Sequence, residues 1–202
     1  MTRLTTRITE SITLTHPCVY WDDWFSEEEL VKIETYLDKQ HLYQATTMGD
    51  ESGNDLSVRN SMTTMFRVDS ENQWIFNKLL RLVDMINNEF YRYDLVGFDH
   101  LQYTVYDRPG CKYDFHMDTG LDRPLREDNG VLHRKLSFSL ILNEDYTGGD
   151  FEILCDAKGP RPQEQKRGRV LAFPSWIIHR VTPIETGVRK SLVFWVKGPK
   201  FK

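Results

Sequence analysis

The apolar residues of this chain change their repeat near residue 95, from a helical spacing to a spacing of two. Upstream, Ser26-Glu27-Glu28-Glu29 reads as a capping box, with Phe25 and Leu30 placed as a hydrophobic staple. The helix behind it is expected to run to about Gln40 and to bury Leu30, Ile33 and Leu37 on one face. A second helix is expected to start near Ser70, with Gln73 as its capping partner. It carries Ile75, Leu79, Leu82, Ile86 and Phe90 at helical spacing and ends around Tyr91. Downstream, strands are expected at 98–107, 112–117, 135–142, 151–154, 169–173, 177–181 and 189–196, rich in Val, Ile, Phe and Tyr and separated by Gly, Pro, Asn and Asp. Many short strands after two helices imply a mainly β fold with flanking helices, a sandwich or barrel with the helices packed outside.

Two stretches, 119–134 and 157–168, read as loops. The second holds Lys158, Arg161, Lys166 and Arg167, which is either a phosphate-binding patch or, more simply, a solvated hairpin tip. The first is long enough to act as a lid or to be an idle insertion.

At 202 residues the chain fits a single domain. It divides into a helical support region at about 20–94 and a β core at about 95–202. No apolar run approaches the roughly 20 residues that span a bilayer, and no apolar stretch follows Arg3 and Arg7, so neither a membrane span nor a secretory signal is expected. Cys18, Cys111 and Cys155 are widely spaced and odd in number, which suits reduced thiols in a cytoplasmic protein. A net charge of -4 gives no electrostatic reason to expect nucleic acid as a partner.

His116 and Asp118 stand two apart, so on an extended strand both side chains leave the same face. His179, in a later strand, offers a third donor if the two strands lie side by side. Two imidazoles and a carboxylate, without thiolate, suit Fe(II) or Mn(II) and argue against structural zinc. Taken alone, though, His-x-Asp is common, and an ordinary surface pair with a satisfied core histidine is the better reading of these residues. Arg189 adds weight, because Arg189, Ser191, Val193 and Trp195 share one strand face. If Val193 and Trp195 point inward, so does Arg189, and a buried guanidinium requires an anion that its sequence neighbours do not supply.

These residues lie in an ordered series. Tyr106, Gly110 and Tyr113 precede His116-Met117-Asp118, and Lys135-Leu136-Ser137-Phe138-Ser139-Leu140 leads into Leu142-Asn143. Gly148-Gly149-Asp150-Phe151, Phe173-Pro174-Ser175, His179-Arg180-Val181-Thr182-Pro183 and Arg189-Lys190-Ser191-Leu192 follow. The series resembles the Fe(II)- and 2-oxoglutarate-dependent dioxygenases, within them the prolyl 4-hydroxylase-like group of small bacterial and phage type, over residues 95–202 and more loosely 58–94.

The resemblance implies a double-stranded β-helix, a distorted jelly roll. It implies that His116, Asp118 and His179 bind Fe(II), with no catalytic side chain beyond these ligands, and that Arg189 clamps the distal carboxylate of 2-oxoglutarate. Many prolyl 4-hydroxylases have Lys where this chain has Arg189, which blurs the substrate subclass but not the cosubstrate. Tyr106 and Trp195 match walls of the cosubstrate pocket, which Gln102, Thr104, Ser137 and Ser139 border, and Arg59 matches the edge of the substrate groove. The implied reaction consumes O2, converts 2-oxoglutarate to succinate and CO2, and hydroxylates a C–H bond, with ascorbate as reductant. Asp118 favours hydroxylation over halogenation, since halogenating relatives lack that carboxylate. A peptidyl proline is the expected substrate. The alternatives are a free amino acid or other small molecule, and a non-catalytic binding protein that has kept the barrel.

Overall fold

A computed structural model of the protein describes residues 16–46, 55–98, 100–119 and 132–199. The chain opens with β1 (Val19–Trp21) and α1 (Glu27–Leu37). The capping box forms as expected: Ser26 Oγ accepts from the Glu29 amide at 3.3 Å, and the Glu29 carboxylate accepts from the Ser26 amide at 2.8 Å. Leu30, Ile33 and Leu37 are buried, and the helix stops at Leu37, short of Gln40. Then come β2 (Tyr43–Gln44), β3 (Arg59–Asn60) and β4 (Met62–Phe66). None of these short strands, nor β1, was expected.

Helix α2 (Gln73–Ile86) begins later than Ser70. Asp69 Oδ1 accepts from the amides of Glu71 and Asn72, while Asn72 Oδ1 accepts from the Asp69 amide. This closed exchange holds residues 69–72 in a turn and makes Asn72 the N-cap residue in place of Ser70. The helix continues into a π turn (Asn87–Tyr91). Wider spacing there brings Tyr91, not Phe90, into the buried position, where its hydroxyl donates to the Ala172 carbonyl at 2.9 Å.

Ten further strands follow: β5 (Leu101–Tyr106), β6 (Lys112–His116), β7 (His133–Ile141), β8 (Thr147–Gly148), β9 (Phe151–Leu154), β10 (Arg161–Gln163), β11 (Val170–Pro174), β12 (Ile178–Val181), β13 (Ile184–Thr186) and β14 (Arg189–Gly198). They include all seven expected strands. β10 lies inside the stretch expected to be a loop and pairs antiparallel with β9, so only the turn between them is a hairpin tip.

The large sheet has the order β1-β11-β7-β14-β5-β4-β2, and the smaller one β10-β9-β12-β6-β3. Both are antiparallel throughout, and facing one another they make the double-stranded β-helix. Alternation decides what each face of the large sheet does. Leu101, Tyr103 and Val105, with Leu136, Phe138, Leu140, Leu192, Phe194 and Val196, join α1 and α2 in one core. The helices thereby cover a face that would otherwise expose large apolar side chains, each worth roughly 1.5–3 kcal/mol when buried. The opposite face carries Gln102, Thr104, Tyr106, Ser139, Arg189, Ser191 and Trp195, an unusually polar set for a β-sheet interior. No helix among the described residues is long and apolar enough to cross a membrane.

Candidate metal centre and cosubstrate pocket

Strands β6 and β12 pair antiparallel with His116 directly opposite His179. Their imidazole centroids lie 4.2 Å apart, and the ladder is irregular just beyond them, between His179 and Val181. Asp118 follows β6, and its amide donates to the Ser175 carbonyl at 2.9 Å. The Phe173-Pro174-Ser175 segment thus fixes the backbone that carries the carboxylate, and Ser175 Oγ is itself tied to Ser137 Oγ at 2.9 Å. One donor atom from each of His116, Asp118 and His179 falls within 4.8 Å of the others.

Hydrogen bonds set the tautomer of both rings. His116 Nδ1 lies 2.8 Å from the Asp114 carbonyl and His179 Nδ1 lies 2.9 Å from the Ile177 carbonyl. A carbonyl only accepts, so each Nδ1 carries the proton and each Nε2 keeps its lone pair. Those two Nε2 atoms face Asp118, at 3.7 Å from Oδ1 and 3.5 Å from Oδ2 respectively. Burial, with the charge of His179 adding to it, pushes the His116 imidazole down to about 4, so it is neutral at pH 7. Burial alone would raise the Asp118 carboxyl, but His179 and His116 outweigh it and hold the group below the ordinary carboxylate range. The result is two imidazole Nε2 atoms and one carboxylate converging on a single point, with outer hydrogen bonds to both Nδ1 atoms already in place. This nitrogen-and-oxygen donor set fits Fe(II).

The three side chains open on a cavity of about 360 Å³. It is also lined by Arg59, Gln102, Thr104, Tyr106, Ser139, Arg189 and Trp195, so the structure gathers most of the residues singled out in the sequence. Ser137 is not part of the lining but stands behind it, bonded to Ser175 and helping to hold the Asp118 carboxyl down. Arg189 is only 1% exposed. Its Nη1 donates to Ser191 Oγ at 3.2 Å and its Nη2 to Gln165 Oε1 at 3.0 Å, while Nε has no partner. Among the described residues no carboxylate pairs with it. The Trp195 side chain acts on the Asp118 carboxylate, helping to hold it below the ordinary range. The Trp195 indole lies under the Arg134 guanidinium, 3.8 Å from centre to ring, and Arg134 also donates to the Asp118 carbonyl. Burial raises the Tyr106 hydroxyl, against the pull of Arg189, so it stays protonated.

Sequence reasoning passed over two supports of this pocket, Gln165 and Tyr146, and gave no role to a third, Gly149. Gln165 lies in the stretch read as a loop, and no periodic signal marks it. Tyr146 donates to Gln165 at 3.3 Å. Gly149, at φ +65°, leaves room that a Cβ would take from Ile184 and from Arg189 Cδ. The basic stretch at 158–167 does not form a phosphate site: Arg161 pairs with Asp156, Lys166 with Asp22, and Arg167 with Glu27 and Glu34 on α1. Of the stretch considered as a lid, 120–131 lie outside the described residues, and His133 and Arg134 already belong to β7.

Comparison with known proteins gives the same answer by an independent route. Residues 101–197 match the model of the 2OG-Fe(II) oxygenase superfamily. A PKHD-type hydroxylase of Idiomarina loihiensis is 34% identical over 91 residues, covering 44% of this chain and 38% of the relative. One from Synechococcus sp. strain CC9311 is 36% identical over 88 residues, 43% of this chain and 36% of the relative. The chain therefore spans less than two fifths of the length of these curated relatives. Among solved structures, a Pseudomonas putida prolyl-4-hydroxylase superposes with a TM-score of 0.70 at 20% identity, over 92% of this chain and 95% of that one. A viral collagen prolyl hydroxylase from Paramecium bursaria Chlorella virus-1 gives 0.65 at 16% identity, over 93% and 99%. With the matched region running from β5 into β14 and enclosing all three donors, residues 101–197 are similar to the 2OG-Fe(II) oxygenase superfamily, and the chain has a prolyl 4-hydroxylase-like fold.

Proposed function

We propose that this protein is an Fe(II)- and 2-oxoglutarate-dependent dioxygenase that hydroxylates a C–H bond, with a peptidyl prolyl residue as the favoured substrate. One observation carries the reading: a buried guanidinium without a carboxylate partner shares a cavity with a two-histidine, one-carboxylate donor set. Such a charge costs several kcal/mol to bury unless an anion completes it. The far carboxylate of 2-oxoglutarate would supply that anion, and Arg189, whose Nε–H is unpartnered, would hold it.

In this reading His116, Asp118 and His179 hold the iron, and their outer hydrogen bonds present the lone pairs without a proton to displace. Iron with 2-oxoglutarate and O2 supplies the oxidant that turns C–H into C–OH, while the cosubstrate leaves as succinate and CO2. Ascorbate serves as external reductant. Arg189 orients the cosubstrate, and Ser191 and Gln165 hold its guanidinium. Tyr106, protonated, stands as a donor on one wall, and Trp195 closes another and helps exclude water. Arg59 stands on the substrate side. The support region and the core act as one domain, because β1, β3 and β4 pair within the two core sheets.

Support for hydroxylation of proline comes from the PKHD-type hydroxylases that match the region and from a Trichoplax adhaerens prolyl hydroxylase solved with a hypoxia inducible factor peptide fragment, TM-score 0.71 at 15% identity. The test is succinate formation with Fe(II), 2-oxoglutarate and proline-containing peptides, alongside mass spectrometry for a gain of one oxygen. Succinate with an oxidised peptide is expected. Oxidation of a free amino acid but of no peptide would move the assignment to a small-molecule hydroxylase, and no succinate under any condition would overturn it.

A further inference from the structure

Arg59 is a further guanidinium lining the cavity, beside Arg189 and Arg134, and is 9% exposed. Its Nε donates to Ser61 Oγ at 3.2 Å and its Nη1 to the Thr46 carbonyl at 3.4 Å. The guanidinium lies over the Tyr113 ring at 4.5 Å. Tyr113 in turn stacks on His116, with centroids 3.5 Å apart and planes within 16°. Among the described residues no acidic side chain forms an ion pair with Arg59.

A charge tally then sets Arg59 apart from Arg189. A divalent metal, the Asp118 carboxylate, the Arg189 guanidinium and a dianionic cosubstrate together sum to zero. Arg59 and Arg134 are left over; Arg134 stacks on Trp195 and donates to the Asp118 carbonyl, while the Arg59 guanidinium donates to the uncharged Ser61 and Thr46 oxygens. A buried cation of this kind is stabilised by an anion at hydrogen-bonding distance far more than by further neutral acceptors. One aromatic ring separates it from a donor of the metal centre, so an anion held there sits close to the carbon being oxidised.

We propose that Arg59 recognises a carboxylate on the molecule to be hydroxylated, which makes the substrate an anion. That carboxylate belongs either to a free amino acid or to an acidic side chain beside the reacting residue of a peptide. The proposal rests on the hydroxylase reading for its charge tally, but its test does not depend on turnover. The protein is loaded with Fe(II) and 2-oxoglutarate without oxygen and titrated calorimetrically with matched pairs: proline flanked by Glu or by Gln in a short peptide, and free L-proline or L-prolinamide. The carboxylate member of one pair is expected to bind about tenfold tighter than its neutral isostere. Which pair shows the preference identifies the source of the carboxylate. R59Q should erase the preference, and R59K should retain part of it with an unchanged melting temperature, which separates recognition from a folding defect. Equal binding of acids and isosteres to the wild type, no binding by any acid, or an R59Q protein that still discriminates would each overturn the proposal. Preserved discrimination with no succinate formed in air would instead overturn the hydroxylase reading and leave the carboxylate site standing.

Discussion

Gln165 Oε1 accepts a hydrogen bond from Nη2 of Arg189 at 3.0 Å and another from the Tyr146 hydroxyl at 3.3 Å. The partner is an amide and not a carboxylate, and that choice matters. A neutral acceptor fixes the guanidinium plane without consuming its charge, so the charge remains for a ligand.

Replacing Gln165 therefore has two distinguishable outcomes. Q165L removes one orienting bond and should raise the KM for 2-oxoglutarate several-fold with little change in kcat. Q165E supplies an internal carboxylate and should raise that KM by about 100-fold or more, because the cosubstrate then competes with a fixed anion. Steady-state succinate assays check both. Equal effects from Leu and Glu would show that the guanidinium's charge is not what the ligand uses.

Arg189 itself should be intolerant of truncation. R189A removes the only cation on β14 that reaches the cavity, and the apparent requirement for 2-oxoglutarate should rise by at least about 100-fold, equivalent to roughly 3 kcal/mol. A cupin-like metalloenzyme that does not use 2-oxoglutarate would keep its activity in this variant, so the saturation curve discriminates between the two chemistries.

The alternating segments of the large sheet were legible because each residue's side is dictated by a period of two. Leu192 and Phe194 go to the helices, and Arg189, Ser191 and Trp195 go to the cavity. What stayed hidden was short or set by side chains. β2 and β3 hold two residues each, too few to show a period. The π turn depends on Asn87, whose side chain donates to the Tyr93 carbonyl and accepts from the Tyr93 amide, while Arg92 takes φ 53°. In the site, His116, Asp118, His179 and Arg189 stood out as a pattern of chemically unusual residues. Gln165 did not, because its role arises only when β10 folds back on β9 and brings the following segment to Arg189.

The donor cluster should behave as a unit. H179A leaves one imidazole and one carboxylate, and both metal binding and succinate formation should fall to background, with H116A doing the same. Anaerobic titration with Co(II), followed by its visible absorption, reads binding without turnover. Undiminished Co(II) affinity in either variant would mean that the three side chains do not share one ion.

Acid should loosen the clasp between β1 and β11 before it touches the core. Asp22, just after β1, accepts from Arg169 at 2.7 Å and 2.9 Å. The Arg169 hydrogen bond holds the Asp22 carboxyl below its usual range. A carboxyl whose folded value is depressed binds protons more readily when unfolded. Its contribution is thus complete above the unfolded value of about 4 and disappears as pH falls through the lower, folded value. D22N should cost about 1–2 kcal/mol in urea unfolding at pH 7 and progressively less as the pH is lowered below about 4. A deficit that did not shrink over that range would assign the effect to lost packing and not to the charge.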